Sequence, residues 1–168
     1  MPTVRQSKPA LRRVGESLRR MIGARAFFIL NTYVPYMGAG VRIRHIAPDA
    51  TRFDVEMRLR PWNKNYFGTH FGGSLYAMCD PFFALILTEN LGPEYVVWDK
   101  EAAIRFKRPG RGTVRARFEI TPERLEEVRR LVDDQGKAHV TFTAQVLGED
   151  GEVVAEVDKV ESIRKTGW

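Results

Sequence analysis

The sequence predicts an α+β domain in which a curled antiparallel sheet wraps around a long, buried central helix. Segments with alternating apolar residues lie on both sides of one nearly continuous apolar stretch, residues 74–91. The later strands follow each other through short turns with one short helical interruption, which is typical of an antiparallel sheet. The chain has 168 residues, 43% of them hydrophobic, which suits one full-sized core. We expect a single domain over residues 1–168, with a helical extension at 1–40 and the core at 41–168.

Residues 7–30 predict an extra N-terminal amphipathic helix, with apolar side chains on one face and arginines away from it. A helix that caps the domain or a dimer edge fits this pattern better than a membrane-surface helix, because the apolar face lacks bulky aromatics. Pro35, Gly38 and Gly40 then predict a break.

The remaining elements follow from residue alternation and turn residues. Residues 41–45 and 52–60 alternate with period two and predict two half-exposed strands. The central helix follows and is expected to end at Gly92, before a proline. Thr121 is expected to cap a short helix. Further strands are predicted at residues 95–107, 114–120, 138–146 and 153–163.

A glycine-rich run, N-Y-F-G-T-H-F-G-G-S-L-Y-A-M-C-D at residues 65–80, brings one carboxylate, Asp80, onto the apolar helix. Burial of an unpaired carboxylate is costly, so Asp80 is either hydrogen-bonded for structural reasons or held for chemistry. Pro81 removes a helical hydrogen bond and disfavours helical geometry at the preceding residue. The sequence therefore predicts a kink at Asp80.

Composition argues against several classes of site. Cys79 is the only cysteine, and the three histidines have no metal-ligand spacing. We therefore expect no disulfide, no metal site and no cofactor. The polar, basic start has no apolar signal-peptide core, and the apolar patch at residues 26–30 is too short to span a bilayer. These features favour a cytoplasmic protein without a transmembrane segment.

Six basic residues and no acidic residue lie between positions 105 and 117. This block can attract an anionic ligand, or it can consist of solvated outward positions on two strands. Nucleic acid is not the expected partner, because the block lacks interleaved aromatics and no helix-turn-helix or zinc-finger pattern accompanies it. The six residues are Arg105, Lys107, Arg108, Arg111, Arg115 and Arg117.

The element order and the loop resemble the hot-dog fold. The loop is similar to the N-x-x-G-x-x-H-G-G…D signature of the acyl-CoA thioesterase branch of that fold. Over almost the whole chain, the sequence more closely resembles a bacterial hot-dog family known as a domain of unknown function. The closer similarity is carried by residues 38–40, 63–65, 68–75, 80–81, 97–100 and 104–110.

The thioesterase resemblance implies roles for four residues. Asn65 matches the asparagine that holds substrate or water, and Asp80 matches the helix acid that acts as general base or nucleophile. Gly72 matches the glycine whose backbone N–H polarises the thioester carbonyl, with Gly73 beside it. Amides at a helix start stabilise a developing oxyanion, while a carboxylate across the pocket can activate water.

One position departs from the thioesterase pattern, because Phe71 stands where the resembled signature has histidine, and His70 lies one residue earlier. His70 can cap the loop, face a neighbouring subunit or take part in catalysis, and Phe71 can line an acyl channel. Asp99 and Lys100 can complete a site at a dimer interface or belong to a structural ion network.

Three functions are open at this point. The first is hydrolysis of an acyl thioester such as acyl-CoA, and the second is non-catalytic acyl binding or an assembly role. The third is dehydration or hydration of acyl thioesters, because the His70–Phe71 pair faintly resembles the H-F opening of the hot-dog dehydratase motif. The fold resemblance also implies a homo-oligomer, either a dimer or a dimer of dimers. In the first function, coenzyme A phosphates would meet Arg105, Lys107, Arg108 or Arg111.

Overall fold

The computed structural model describes residues 26–166 of the chain. Most of the predicted N-terminal helix therefore lies outside the described residues. The described part begins with a short 3₁₀ helix, Phe27–Thr32, and continues into helix α1, Val34–Ala39. The predicted break is present at Tyr33, which is extended, but residues 34–39 are helical and correct the rest of the prediction. Pro35 sits in the first turn of α1, where a missing amide hydrogen costs nothing. Gly40 ends the helix at a φ of 81°.

Six antiparallel strands form one sheet in the order β1-β2-β4-β5-β6-β3. All six were predicted from residue alternation and turn residues, and β1 and β3 lie at the two edges. The α+β class with a curled antiparallel sheet is confirmed. The strands are β1, Val41–Ile46; β2, Arg52–Arg58; β3, Tyr95–Phe106; β4, Thr113–Glu119; β5, Lys137–Leu147; and β6, Val153–Lys165.

The central helix is present as two segments, α2, Gly72–Ala77, and α3, Phe82–Leu91. They are separated by a non-helical turn that contains a cis peptide bond between Asp80 and Pro81. This corrects the prediction of one continuous helix with Asp80 inside it. Proline cannot donate a helical hydrogen bond and restricts the residue before it, so α2 does not continue through Asp80 into α3. Gly92 follows α3 with a φ of 111°, as the predicted helix end requires.

Aromatic side chains of α3 fix this helix against the sheet. The ring of Phe82 stacks on Phe118 with centroids 4.8 Å apart, and Phe83 stacks on Phe142 at 5.1 Å. The last helix, α4, Pro122–Gln135, covers β5, and the side chain of Thr121 caps it as predicted. With α3 held by these contacts, the turn at Asp80 faces the part of the sheet formed by β6 and β3.

Candidate active site

Asp80 lies in the turn between α2 and α3, with its side chain 43% exposed. Its Oδ1 accepts a hydrogen bond from Nζ of Lys159 at 2.7 Å, and its backbone carbonyl accepts one from the hydroxyl of Tyr36. Burial, and then the neighbouring Asp99, raise the pKa of Asp80, while Lys159 opposes the rise. The carboxylate is thus anchored on one side and open to solvent on the other.

Lys159 is the buried centre of this cluster. It occupies an inward position of β6, between Phe142 of β5 and Ala102 of β3, and its side chain is 1% exposed. Its ammonium bonds Asp80 and lies 2.8 Å from Oδ2 of Asp99. Burial alone lowers the pKa of Lys159, but the two carboxylates more than offset this and raise it. Lys159 therefore remains an ammonium ion inside the fold.

Asp99 reaches this ammonium from the edge strand. A β-bulge between Asp99 and Glu101 leaves Lys100 as the extra residue, and Lys100 is exposed. Burial opposes a fall in the pKa of Asp99, but the adjacent Asp80, Glu161 and Lys159 lower it. The structure brings Asp99 into the cluster with Asp80 and leaves Lys100 out of it.

Glu161 is a second charged residue on the inner face of β6, two positions after Lys159. It is fully buried, and neither carboxylate oxygen has a hydrogen-bond partner among residues 26–166. Burial, reinforced by Asp99, raises its pKa from 4.5 to about 8. A carboxyl group with this pKa is mostly protonated at neutral pH, so the cluster holds a neutral acid beside its charged members.

Lys159 and Glu161 were not among the site residues predicted from the sequence. A signal was present, because the alternation of β6 gives both residues the same inward orientation as Val157 and Ile163. A lysine and a glutamate on an apolar strand face are rarely buried without a partner. The pattern could have identified two inward charges, although not the residues with which they pair.

A second group of predicted residues lines a cavity of about 560 Å³ at the end of β3. We call this the strand-end cavity. Asp80 is not among its described lining residues. Within one chain, the predicted site residues therefore lie in two places, the cluster around Asp80 and the strand-end cavity. The predicted residues in the lining are Asn65, His70, Gly72, Lys107, Arg108 and Arg111.

Asn65 organises the loop before α2. Its side-chain oxygen accepts hydrogen bonds from the amides of Phe67 and Thr69, and its side-chain nitrogen donates to His70 O at 3.2 Å. These contacts satisfy the asparagine locally, as in an Asx turn. The structure thus gives Asn65 a loop-forming role at the wall of the cavity.

Gly72 and Gly73 begin α2, where amides lack an intrahelical acceptor. A Cβ at Gly72 would lie 2.9 Å from the ring of Phe106, and one at Gly73 would lie 2.4 Å from the ring of Phe71. Both glycines therefore allow aromatic rings to approach the helix start closely. Phe71 itself is exposed and is not among the described lining residues of the strand-end cavity.

His70 turns its ring toward the loop after β3. Its Nε2 donates to Gly112 O at 3.1 Å, while Nδ1 has no partner among the described residues. Burial lowers the pKa of His70, partly opposed by the bond to Gly112. The imidazole ties two loops together at the cavity wall.

Two of the predicted phosphate-binding residues already have acidic partners. Arg105 bonds Glu156 at 2.6 Å and lies 2.8 Å from Asp158, and Arg108 pairs with Asp150. Lys107 and Arg111 are exposed and have no ion pair within the part of the chain that the structure describes.

No helix within residues 26–166 is long and apolar enough to cross a membrane. In the same range, no group of three His, Cys, Asp or Glu side chains is placed to hold a metal ion.

Solved structures share this architecture. A protein of unknown function from Pseudomonas aeruginosa, described as "Probable Thioesterase", matches with a TM-score of 0.75 and 22% identity, over 83% of this chain and 93% of its own. A thioesterase from Haemophilus influenzae matches with a TM-score of 0.61 and 14% identity, over 86% and 92%. The PaaI protein of the E. coli phenylacetic acid degradation operon gives 0.55 and 18%, over 92% and 99%.

These similarities establish the hot-dog fold. No curated protein sequence matches the chain at a significant level. A protein-family model described as a domain of unknown function, DUF4442, matches residues 23–162. This match spans most of the chain, including the turn at Asp80 and the buried Lys159 and Glu161, and the chain therefore belongs to the DUF4442 family.

Proposed function

We propose that this protein hydrolyses an acyl thioester, such as an acyl-CoA, with Asp80 as the group that activates water. The observation that carries the proposal is the half-exposed carboxylate of Asp80, fixed on a buried ammonium and with a raised pKa. A carboxylate whose pKa moves toward neutrality is a better proton acceptor, and firm anchoring keeps it oriented.

In the proposed reaction, Asp80 takes a proton from water as the water oxygen bonds to the thioester carbonyl carbon. The amides of Gly72 and Gly73 donate to the oxyanion that forms. The carbon–sulfur bond then breaks, the carbonyl is restored, and the leaving thiolate receives the proton held by Asp80. Lys159 touches Asp80 and not the substrate, so its proposed role is positioning.

We further propose that a second copy completes the site, since one chain keeps Asp80 apart from the strand-end cavity. Strand β3 is an edge strand that carries Asp99, and Trp98 on it is 69% exposed. Unpaired strand edges favour pairing with another chain. A cytoplasmic dimer or dimer of dimers built on β3 would bury Trp98 and bring a strand-end cavity toward Asp80. Lys107 and Arg111 remain available for carrier phosphates.

The test is thiol release from short, long and aromatic acyl-CoAs by wild type, Asp80→Asn and Asp133→Asn. Asp133 is the matched control, because it also accepts from a lysine at 2.7 Å and is 39% exposed. We expect wild-type turnover that falls about a hundredfold in Asp80→Asn and persists in Asp133→Asn. Equal activity of Asp80→Asn and wild type on a cleaved substrate would refute the assignment.

Non-catalytic acyl binding is the second candidate, and the pairing of Asp80 with Lys159 favours it, since a structural ion pair needs no chemistry. In that case, mass spectrometry of the purified protein would detect an acyl ligand, and no acyl-CoA would release thiol. Hydration or dehydration would instead change double-bond absorbance without releasing thiol.

A further inference from the structure

A groove lined by several arginines, which we call the basic groove, lies on strands β1, β2 and β4, next to the segment that precedes β1. Its volume is about 540 Å³, and none of its lining residues is shared with the strand-end cavity. The tryptophan Trp62 lines it and is 65% exposed. Its charged lining residues are Arg42, Arg44, Arg58, Arg60, Arg115 and Glu56.

The positive charge of the groove is not balanced locally. Glu56 lies 2.5 Å from Arg44 and 4.0 Å from Arg115. The other three arginines have no carboxylate within ion-pair distance among residues 26–166. Glu149 lies just beyond the lining and accepts a hydrogen bond from the amide of Thr113. This bond lowers the pKa of Glu149, and the positive charges of Arg115 and Arg58 lower it further. Even with Glu149 included, the arginines are in excess.

The excess is not general to the described chain, although Lys107 and Arg111 at the strand-end cavity also lack an ion pair within it. Residues 1–25 contain seven basic residues and one acidic residue, so the rest of the chain has twenty of each. Elsewhere on the sheet, arginines meet acids: Arg117 bonds Asp54 at 2.7 Å, and Arg105 bonds Glu156. A generally basic surface therefore does not explain five arginines around one cavity.

The groove combines two kinds of recognition. Guanidinium groups match the geometry of phosphate oxygens and can bind them through two parallel hydrogen bonds. The guanidinium of Arg60 lies 5.9 Å from the ring centroid of Trp62, so a cationic and an aromatic surface adjoin. A flat heterocycle can stack on such an exposed indole. The volume is that of a small-molecule pocket.

We propose that the basic groove binds the diphosphate and base of a nucleoside diphosphate. The phosphates lie against Arg42, Arg58 and Arg60, and the base stacks on Trp62. This group occurs in free nucleotides and at the end of coenzyme A, and the site does not depend on Asp80 or on thioester hydrolysis.

Calorimetry of the full chain with ADP at low ionic strength tests the site. We expect ADP to bind, AMP to bind at least tenfold more weakly, and the Arg58→Gln/Arg60→Gln double variant to lose at least tenfold in ADP affinity. These side chains are exposed, so the fold should persist, which circular dichroism checks. Arg117→Gln is the matched control, since Arg117 lies on an adjacent strand outside the groove and should leave ADP affinity unchanged.

Coenzyme A is the second probe. If coenzyme A binds more tightly than ADP, and the double variant weakens its binding to the same extent, the nucleotide that occupies the groove is that of coenzyme A. Equal ADP affinity in wild type and double variant overturns the proposal. Absence of ADP binding also overturns it, as does binding of a single-stranded oligonucleotide when ADP does not bind.

Discussion

The two ends of the sheet alternate in the same way along their strands, yet their inner faces differ chemically. At the β2–β4 end the inward side chains are all apolar, and acids and arginines meet on the outside. At the β6–β3 end Lys159 and Glu161 turn inward, and Lys159 pairs with Asp80. An interior that needs only to be stable is filled with apolar groups, so the charges retained inside the β6–β3 end support our proposal that this end carries the function. The inward residues of β2 and β4 are Phe53, Val55, Met57, Val114, Ala116 and Phe118.

Lys159→Met should show the largest difference between the two ends. The variant leaves Asp80 and Asp99 without their shared cation beside the buried Glu161. Loss of one partner from a buried ion pair costs about 3–5 kcal/mol, and we expect a loss of stability at the low end of this range because the two aspartates are partly solvated. Urea unfolding of wild type and variant measures it.

Lys165→Met provides the control for that experiment. Lys165 lies on the same strand and bonds Asp133 at 2.7 Å, but the pair is exposed. Its loss should cost less than about 1 kcal/mol. Similar losses for the two lysine variants would mean that the charged end gains nothing from its buried cation.

Glu161→Gln should change how stability depends on pH. The folded-state pKa of Glu161 is about 8, above its ordinary value of 4.5, so the native state binds the additional proton between these values. Its stabilising effect is complete below the unfolded pKa and is lost as pH rises through the folded pKa. One proton bound only by the native state corresponds to a little over about 1 kcal/mol per pH unit, so wild type should lose on the order of 2–3 kcal/mol of stability between pH 5.5 and 7.5.

The stability of Glu161→Gln should not fall with rising pH in this way. Denaturant unfolding at a series of pH values measures the difference from wild type. Above pH 8 the variant should be more stable than wild type, because no charge is then buried at this position. Parallel pH profiles for the two proteins would contradict the assignment of a protonated Glu161. Glu152→Gln, at an exposed position before β6, is the control.

The comparison also explains which features the sequence could predict. Strand β2 was identifiable because Phe53, Val55 and Met57 alternate with polar residues, a local signal. The partner of Asp80 was not identifiable, because Lys159 is 79 residues away and reaches it only through the folded sheet. The kink at Asp80 was predicted from Pro81, but the complete separation into α2 and α3 depends on packing against Tyr36 and the sheet.

Gly72→Ala tests whether the strand-end cavity, at the charged end of the sheet, takes part in substrate binding. The added methyl would approach the ring of Phe106 to 2.9 Å, so this exposed ring must move at the wall of the strand-end cavity. We expect the KM for a cleaved thioester to rise about tenfold, with little change in Tm. Gly38→Ala in α1 is the matched control, since a methyl there meets no atom within 4 Å. Equal KM values for both variants would mean that the strand-end cavity does not bind the substrate.

The smallest effect should come from charges at the apolar end. Arg117 and Asp54 face each other across β4 and β2, with Nε and Oδ1 2.7 Å apart on the exposed surface. In a double-mutant cycle with Arg117→Gln and Asp54→Asn, we expect a coupling free energy below about 1 kcal/mol that falls further in high salt. A coupling as large as the loss in Lys159→Met would end the contrast, because the outer charges of the apolar end would then stabilise the fold as strongly as the inner charges of the other end.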